Sequence, residues 1–352
     1  MEASPEAGLQ DFVRTFIAGH SGADDVEILR SHRMGGGAIQ ENHALDVRIR
    51  GGELAGEHAF VLRTDSPSSL PISLSRAQEF AVLGVAWEAG APVPQPLWLH
   101  EDRGEVGRDF YIMRRLGGSA APKPLVRGDL DDAARSRLLE ELGAALAAVH
   151  SVRPPRDELA FLDPPAARPG LRRVEQYRGY LDRLRQPQPT LEWALRWLER
   201  NAPASGDNRL CHGDYRTGNY LVEEGRLSGI LDWEFAGWSD PAEDIGWFCA
   251  RCWRFGAWDR EAGGLGDPAS LLRGYARAGG TPPDPGQIPY WRIMATVRWA
   301  VIALMQAERH LSGEQPSLEL ALTGRMLPEM ELDLVQEILA AEQGGKNHAE
   351  QP

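Results

Sequence analysis

Short runs of apolar residues recur through the first third of the chain, each bounded by glycine, proline or polar residues. Runs of this length with such boundaries predict β-strands. The predicted strands are residues 26–30, 43–49, 57–64 and 110–113. Residues 76–89 have a different pattern, in which Phe80, Leu83 and Trp87 recur at helical spacing. This part of the chain therefore predicts a small sheet with one helix.

From about residue 117 the pattern becomes mostly helical. Leu138, Leu142 and Leu146 lie on one apolar stripe that ends at His150, and this stripe is typical of a helix facing a core. Further helices are predicted over residues 171–184, 191–200 and 293–311. Three short strand-like runs interrupt the helices at residues 209–211, 220–222 and 227–231. These runs predict a loop held between strands.

That loop carries polar side chains suited to phosphoryl transfer. Residues 210–219 read L-C-H-G-D-Y-R-T-G-N, and residues 229–234 read G-I-L-D-W-E. An aspartate five residues before an asparagine can accept a hydroxyl proton while the asparagine oxygen binds Mg²⁺, with the second aspartate as another metal ligand. Each fragment alone is common in turns and helix caps. Their joint occurrence at this spacing indicates a kinase active site.

The loop resembles the H-G-D-x-x-x-x-N catalytic loop of the aminoglycoside phosphotransferase and choline kinase group, small-molecule relatives of the protein kinases. The resemblance implies that Asp214 is the catalytic base and that His212 braces the loop. It implies that Asn219 and Asp232 bind Mg²⁺, and Glu234 could add a metal contact.

The same resemblance implies an α+β, protein-kinase-like fold with two lobes. Residues 1–115 would form a small N-terminal nucleotide-binding lobe with an antiparallel sheet and one helix. Residues 116–352 would form a larger, mostly helical lobe for catalysis and substrate binding. Arg216 stands two residues after the aspartate, where protein kinases commonly have a lysine, so it is a third catalytic candidate that would contact the transferred phosphate.

Nucleotide binding is expected in the first lobe. Residues 34–41 read M-G-G-G-A-I-Q-E and resemble the family's G-G-x-x-x loop, in which glycines let backbone N–H groups approach phosphates. Such a run is equally typical of an ordinary hairpin turn. The Walker and dinucleotide-binding patterns are absent. The candidate nucleotide-binding residues are Gly35, Gly36, Gly37, Ala38, Arg63, Glu79, Met113, Arg114, Arg115 and Leu116.

Arg63 stands where the third strand of a kinase carries its phosphate-binding lysine, and the only lysines of the chain are Lys123 and Lys346. Arginine is always charged and binds phosphate bidentately, so it could replace lysine with a changed geometry. Glu79 on the following helix would be its partner, although an exposed glutamate on an amphipathic helix is the alternative. Residues 113–116 resemble the hinge whose backbone binds adenine.

The acceptor is expected to be a small molecule. Only seven residues separate Asp232 from Asp240, which leaves no room for the activation segment that docks protein substrates. Asp240 and Pro241 have the N-cap and first-turn pattern of a new helix, and this segment resembles the family's D-P-x-x-D-[LI]-[GA] motif. Residues 247–256 resemble a branch that includes kinase-like domains fused or linked to acyl-CoA dehydrogenases. The candidate substrate residues are Asp244, Trp247, Arg251 and Trp253.

Composition narrows the class of partner. The chain has 352 residues and a net charge of −13, which argues against a nucleic-acid surface or a polybasic membrane patch. Residues 1–5 lack the features of a signal peptide, so a cytoplasmic protein is expected. Residues 293–311 contain Arg298 and Glu308, which indicates a packed helix rather than a membrane span.

Three functions remain open from the sequence. The first is a small-molecule O-kinase that uses Mg²⁺ and ATP, or another nucleoside triphosphate. An aminoglycoside acceptor would require a pocket lined with carboxylates, whereas a hydroxyacyl-CoA would require arginines near its phosphates and an apolar channel. The tryptophans and arginines after Asp244 favour the hydroxyacyl-CoA. The second is a catalytically weak or inactive nucleotide-binding protein that acts as the partner of another enzyme, with Arg63 as its support. The third is a redox or metal protein built on Cys249 and Cys252. The alternative for those cysteines is buried packing in a helix.

Overall fold

The structure is a computed structural model that describes residues 5–35, 40–65, 73–184, 186–204 and 206–349. Contacts divide the chain into two compact units. Unit 1 consists of Met1–Ser119, Pro155–Phe161 and Tyr220–Ala236, and unit 2 consists of Ala120–Pro154, Leu162–Asn219 and Gly237–Pro352. The predicted lobe boundary after residue 115 lies close to Ser119, and two later stretches of unit 1 lie beyond it.

Unit 1 is built on a five-stranded antiparallel sheet with the order β1-β2-β3-β5-β4. Its strands are β1 (Asp25–Arg33), β2 (Gln40–Arg50), β3 (Gly56–Asp65), β4 (Pro96–His100) and β5 (Phe110–Arg114). Its helices are α1 (Pro5–Ser21), α2 (Arg76–Glu88) and α3 (Arg103–Val106). The four predicted strands and the helix after the third are confirmed, and β4, α1 and α3 are additional.

The core of unit 1 lies between α1 and the sheet. Val13 and Ile17 of α1 pack with Val47 of β2 and Phe60 of β3, and all four are buried. A capping box between Ser75 and Gln78 fixes the start of α2, because each residue's side chain accepts a hydrogen bond from the other's backbone N–H. The cap places the first turn of α2, which contains Glu79, at a defined position in the unit.

Two short strand pairs flank the catalytic-loop sequence. The first pair, which belongs to unit 2, is β6 (Arg209–Cys211) with β9 (Gly237–Ser239). The second pair, which belongs to unit 1, is β7 (Tyr220–Glu223) with β8 (Arg226–Ile230). Strand formation in the three predicted runs is confirmed, and β9 is additional. Each pair is antiparallel, so the loop is anchored by backbone hydrogen bonds on either side.

Unit 2 is mostly helical. Its helices are α4 (Pro122–Arg127), α5 (Asp132–Val149), α6 (Pro169–Leu181), α7 (Pro189–Arg200), α8 (Pro241–Phe248), α9 (Pro268–Arg277), α10 (Ile288–Leu311), α11 (Leu318–Gly324) and α12 (Leu327–Ala349). One core of this unit joins Leu195 of α7, Trp291 of α10 and Leu334 of α12. In the described part of the chain, none of the helices combines the length and apolarity that crossing a membrane requires.

The backbones of α5 and α9 approach each other at reciprocal glycines. A Cβ atom added at Gly143 of α5 would lie 1.9 Å from the Leu271 carbonyl oxygen of α9. A Cβ atom added at Gly274 of α9 would lie 1.9 Å from the Glu140 carbonyl oxygen of α5. Both contacts are with backbone, so neither neighbour can move aside alone.

We therefore expect Gly143→Ala to lower the free energy of unfolding by about 2–3 kcal/mol, because the methyl group overpacks a rigid contact. Gly179→Ala in α6 is the matched control, since nothing lies within 4 Å of its added Cβ. The control should be neutral or stabilising by up to about 1 kcal/mol. Urea denaturation of both variants measures the difference, and equal stabilities would contradict the close approach of the two helices.

Candidate active site

The catalytic-loop sequence makes its turns at two glycines. Gly213 has φ of 77° and Gly218 has φ of 111°, conformations that residues with a side chain rarely adopt. The N–H of Asn219 donates to the carbonyl of Arg216 at 3.0 Å and closes the second turn. Asp214 is 7% exposed and Asn219 is 5% exposed. The loop therefore holds both polar side chains in a nearly water-free setting.

Three side chains donate hydrogen bonds to the carboxylate of Asp214. Trp247 Nε1 donates to Oδ1 at 2.7 Å. Asn219 Nδ2 donates to Oδ2 at 2.6 Å, and Arg216 Nε donates to Oδ2 at 3.2 Å. Hydrogen bonds to an ionised group are directional and short. The Asp214 side chain is thus fixed in orientation.

The same contacts determine which way the Asn219 amide faces. Its Nδ2 donates both to Asp214 Oδ2 and to the Asp214 carbonyl at 2.9 Å. Because the nitrogen is used on the loop, the amide oxygen is the atom left to face a metal ion. Oxygen is the ligand type that Mg²⁺ prefers, so the donor set fits that ion.

His212 and Asp244 hold the backbone of the catalytic loop through hydrogen bonds. Asp244 of α8 accepts the N–H groups of His212 and Gly213 at 2.7 Å and 2.9 Å. The N–H of Asp214 donates to His212 Nδ1 at 3.1 Å. Asp244 also lies 3.1 Å from Nε2 of His150, the residue that ends α5. Asp244, His212 and His150 are buried, so a polar network fixes the loop backbone.

The pKa of Asp244 reflects this network. Burial alone would raise it, but His150 and His212 and the Gly213 N–H together lower the pKa below its ordinary value. Since the folded-state pKa lies below that of the unfolded chain, the carboxylate stabilises the fold at neutral pH. That contribution is lost only as the pH falls below about 4 and through the lowered pKa.

Arg216 is held against the base and an aromatic ring. Its Nε donates to Asp214, its Nη1 donates to the Thr217 carbonyl at 3.3 Å, and its guanidinium lies 4.4 Å from the centroid of Trp253. A guanidinium on an aromatic face is a favourable cation–π pair. Arg216 is therefore positioned by the loop as a fixed positive charge next to the candidate base.

We expect Arg216→Ala to lower kcat about 10- to 100-fold, because it removes a charged hydrogen bond from the base and a positive charge beside it. Arg216→Lys should recover only part of the rate, since lysine lacks the fork and the planar stack. Steady-state turnover measures both. Arg196→Ala on the exposed face of α7 is the control, and unchanged turnover in Arg216→Ala would exclude the assigned role.

In unit 1, Arg63 of β3 forms a buried ion-pair cluster. Its Nε donates to Glu79 Oε2 at 3.0 Å, and its Nη2 lies 2.8 Å from Glu79 Oε1. The Nη2 also donates to Asp232 Oδ1 at 2.7 Å. Arg63 is 6% exposed and Glu79 is 1% exposed. The structure thus brings these three predicted site residues together, with Glu79 buried rather than on the surface.

Two further residues complete this cluster. Arg76 of α2 pairs with Glu79 and donates to Asp65 Oδ1 at 3.0 Å. Asn42 Oδ1 lies 3.5 Å from Arg63 Nη1, so that nitrogen makes the weakest contact of the guanidinium. Nε and Nη2 of Arg63 are thus paired with carboxylates, whereas Nη1 faces an amide oxygen.

Asp232 has an unusual backbone. Its φ is 69°, in the left-handed region that only asparagine, aspartate and glycine adopt readily. Its side chain is 30% exposed, whereas Glu234 two residues later is 3% exposed. The Glu234 carbonyl accepts the N–H of Leu74 at 2.9 Å. Non-glycine residues in this region are often found at functional positions, and the Asp232 carboxylate is partly accessible.

The structure describes only some of the residues predicted to bind nucleotide. Gly36, Gly37 and Ala38 lie outside the described residues, and Gly35 is exposed with nothing within 4 Å of an added Cβ. In the hinge segment the N–H of Arg114 donates to Gln95, and the N–H of Arg115 donates to Ala59, both at 2.9 Å. These two N–H groups are thus used within the sheet, while Met113 is buried and Leu116 is half-buried.

The four candidate substrate residues have different environments. Asp244 is fully buried and Trp247 is 2% exposed, so both favour bracing roles over direct contact with an acceptor. Trp253 is half-buried and carries the Arg216 stack. Arg251 Nε lies 3.2 Å from Asp333 Oδ1, and its guanidinium lies 4.8 Å from the ring centroid of Trp258. Trp253 therefore carries the ring that contacts Arg216, whereas Arg251 contacts Asp333 and Trp258.

Cys249 and Cys252 were the candidates for metal or redox chemistry. Within the described ranges, the only group of three or more metal-type ligands is His150, Cys211 and Asp244, so neither Cys249 nor Cys252 belongs to one. Asp244 is already committed to the loop N–H groups. Burial raises the pKa of Cys249 to about 12, which keeps the thiol protonated.

Several residues of the site were not predicted from the sequence. Residues brought in by long-range contacts include His150 at the end of α5 and Arg298 of α10, whose guanidinium donates to the Gly213 carbonyl. Arg76 and Asn42 join the Arg63 cluster in the same way. The available signals were a histidine that ends an apolar stripe and a single charged residue, Arg298, in the mostly apolar stretch 293–305.

The sequence is similar to that of longer proteins. Acyl-CoA dehydrogenase family member 10 of Mus musculus is 25% identical in an alignment of 346 residues that covers 93% of this chain. The chain spans only 30% of the length of that relative. The likeness therefore concerns one region of a larger protein.

Solved structures share the fold. A protein of Ralstonia eutropha described as a candidate aminoglycoside phosphotransferase has a TM-score of 0.73 at 21% identity, covering 95% of this chain and 98% of that one. Aminoglycoside phosphotransferase APH(4)-Ia, solved as a thermostable mutant with ADP and hygromycin B, has a TM-score of 0.57 at 14% identity, with 91% and 97% covered. These likenesses confirm the α+β, kinase-like fold.

A family profile decides the classification. The profile described as the phosphotransferase enzyme family matches residues 40–287, which include both the Arg63 cluster and the catalytic loop. This match confirms the resemblance indicated by the H-G-D-x-x-x-x-N loop, and the chain belongs to the phosphotransferase enzyme family.

Proposed function

We propose that this protein transfers the γ-phosphoryl group of ATP, or of another nucleoside triphosphate, to a hydroxyl group of a small molecule. The observation that carries the proposal is the Asp214 carboxylate, which is nearly buried and fixed by N–H donors from Asn219, Arg216 and Trp247. A carboxylate held in this way can receive the acceptor proton as the acceptor oxygen attacks phosphorus. The bond to the bridging oxygen then breaks, and ADP leaves.

Each unit holds candidate residues for the proposed reaction. In unit 2, Asn219 would offer its amide oxygen to Mg²⁺ and Arg216 would supply positive charge beside the base. In unit 1, Asp232 and Glu234 would be the carboxylate ligands, while Arg63 and the glycine loop would bind phosphates. Bound Mg²⁺ would neutralise charge on the nucleotide phosphates. Complexes of the fold relative with ADP support nucleotide binding by this chain.

For the acceptor we propose a hydroxyacyl-CoA rather than an aminoglycoside. A polycationic acceptor would need carboxylates that are not already paired. Next to the base lie instead Arg216 and the Trp253 ring that stacks on it, a lining suited to anionic and apolar groups. The name of the murine relative, an acyl-CoA dehydrogenase family member, supports a connection with acyl-CoA chemistry.

The second candidate is a nucleotide-binding partner of another enzyme without transfer activity. Arg63 at the usual lysine position favours it, because Arg63 donates to Asp232, a candidate metal ligand. The extra length of the murine relative fits association with a further domain. Against this candidate, the candidate base Asp214 and the N–H groups that donate to it are all present.

The deciding experiment measures Mg²⁺-dependent ADP release together with ATP binding. The acceptor panel contains aminoglycosides, choline-like amines, sugars and hydroxyacyl-CoA thioesters. We expect turnover with one class, and highest turnover with the hydroxyacyl-CoA thioesters. Measurable ATP binding without turnover for any acceptor would favour the noncatalytic partner. Absence of both binding and turnover would overturn both candidates.

A further inference from the structure

One face of α8 presents two side chains to the catalytic loop. Asp244 and Trp247 are three residues apart, so they lie on the same side of the helix. Asp244 accepts N–H groups of the loop backbone, whereas Trp247 directs its indole N–H at the Asp214 side chain, 2.7 Å from Oδ1. Trp247 is thus the one side chain of α8 that contacts the candidate base in the described structure.

The indole is itself held in place by an arginine of α10. The guanidinium of Arg298 lies 4.3 Å from the centroid of Trp247 and donates to the Gly213 carbonyl. The ring of Trp253 meets Trp247 edge-on at 5.2 Å between centroids. Arg298 therefore links the indole to the loop backbone, and the ring has little freedom to rotate away from Asp214.

The three donors divide unequally between the two oxygens of Asp214. Among the described residues, Oδ2 accepts from Asn219 and Arg216, while Oδ1 accepts from Trp247. A carboxylate oxygen has two lone-pair directions, so the acceptor capacity of Oδ2 is filled and Oδ1 keeps one direction. Without the indole N–H, only the two donors to Oδ2 would restrain the carboxylate, whose terminal torsion is soft.

We propose that Trp247 is the positioning residue of the Asp214 base, that its N–H orients the carboxylate so that Oδ1 receives the acceptor proton, and that Arg298 holds the indole there. This proposal rests on the proposed phosphotransferase function. It moves Trp247 from substrate contact to alignment of the base.

The chain offers a closely matched control tryptophan. Trp291 of α10 is 1% exposed, as Trp247 is 2% exposed, and both lie in unit 2. Among the described residues, Trp291 Nε1 has no hydrogen-bond partner. Replacing either indole by phenylalanine removes similar volume, but only one replacement removes a donor from Asp214.

The kinetic test compares Trp247→Phe with Trp291→Phe in the full chain, using the acceptor found in the panel. We expect Trp247→Phe to lower kcat about 10- to 100-fold with KM for ATP and acceptor within about twofold. Trp291→Phe should keep kcat within about twofold even where it lowers the unfolding temperature. Equal effects of the two variants on kcat would overturn the proposal, because packing alone would explain them.

A spectroscopic test makes the result independent of turnover. In protein labelled with ¹⁵N-tryptophan, the indole cross-peak that disappears in Trp247→Phe is assigned to Trp247. We expect this peak to lie downfield and to move upfield in Asp214→Ala, since the N–H then loses its carboxylate acceptor. A peak that does not respond to Asp214→Ala overturns the proposal. If the peak responds but the wild-type protein shows no turnover with any acceptor, the proposed function is wrong. The contact between Trp247 and Asp214 then has no catalytic role.

Discussion

Asp214→Asn is expected to lower kcat by about 1,000-fold while leaving the Kd for ATP within about twofold. The amide keeps the shape of the carboxylate but cannot take up the acceptor proton, and general-base catalysis contributes about 100- to 10,000-fold. One amide oxygen also cannot satisfy donors from Asn219, Arg216 and Trp247 together. ADP release measures kcat, and titration calorimetry measures ATP binding.

Asp240→Asn is the matched control for this prediction. Asp240 is 7% exposed, as is Asp214, but its carboxylate caps α8 by accepting the Ala242 N–H at 2.8 Å. Asparagine is an equally good N-cap, so this variant should retain most of its turnover. If Asp214→Asn retained turnover as well, Asp214 would not be the base, and the proposed mechanism would be wrong.

The local parts of the site could be predicted from the sequence because they depend on short-range rules. The strand-like runs before and after the catalytic loop form β6 and β7, and Asp240 caps α8 through its side chain. In each case the decisive residues lie within about ten positions of one another. Hydrophobic periodicity, turn residues and caps act over that distance.

The parts that could not be predicted are contacts between distant segments. His150 contacts Asp244 across 94 positions, and Arg298 contacts Gly213 across 85. In the sequence His150 only ends an apolar stripe, which indicates a core position. Its function follows from the packing of α5 and α8 into the same unit, and no local pattern specifies which helices meet.

The Arg63 cluster shows the same limit in another form. The position of Arg63 on a strand and of Glu79 on the next helix was enough to propose one ion pair. The structure adds Arg76, which shares Glu79 with Arg63 at about the same burial. Two buried guanidinium groups require several carboxylates nearby, because an unpaired buried charge is costly. Asp65 and Asp232 meet this requirement.

Asp232 is the position at which substitution should most affect metal dependence. Its φ of 69° makes alanine a poor test, because strain would be added to the loss of the carboxylate. Asparagine adopts the left-handed region readily and keeps an oxygen toward Arg63 Nη2. Asp232→Asn therefore removes one negative charge and leaves the backbone and the Glu79 pair of Arg63 in place.

We expect Asp232→Asn to lower kcat about 100- to 1,000-fold at fixed Mg²⁺ and to raise the Mg²⁺ concentration for half-maximal activity at least tenfold, because a charged oxygen ligand is lost. The Mg²⁺-dependent gain in ATP affinity should shrink as well, which calorimetry detects without turnover. Glu224→Gln is the control, since Glu224 is an exposed carboxylate with φ of 50° in the same unit. Unchanged Mg²⁺ dependence in Asp232→Asn would remove Asp232 from the metal site and leave its contact with Arg63 as a structural ion pair.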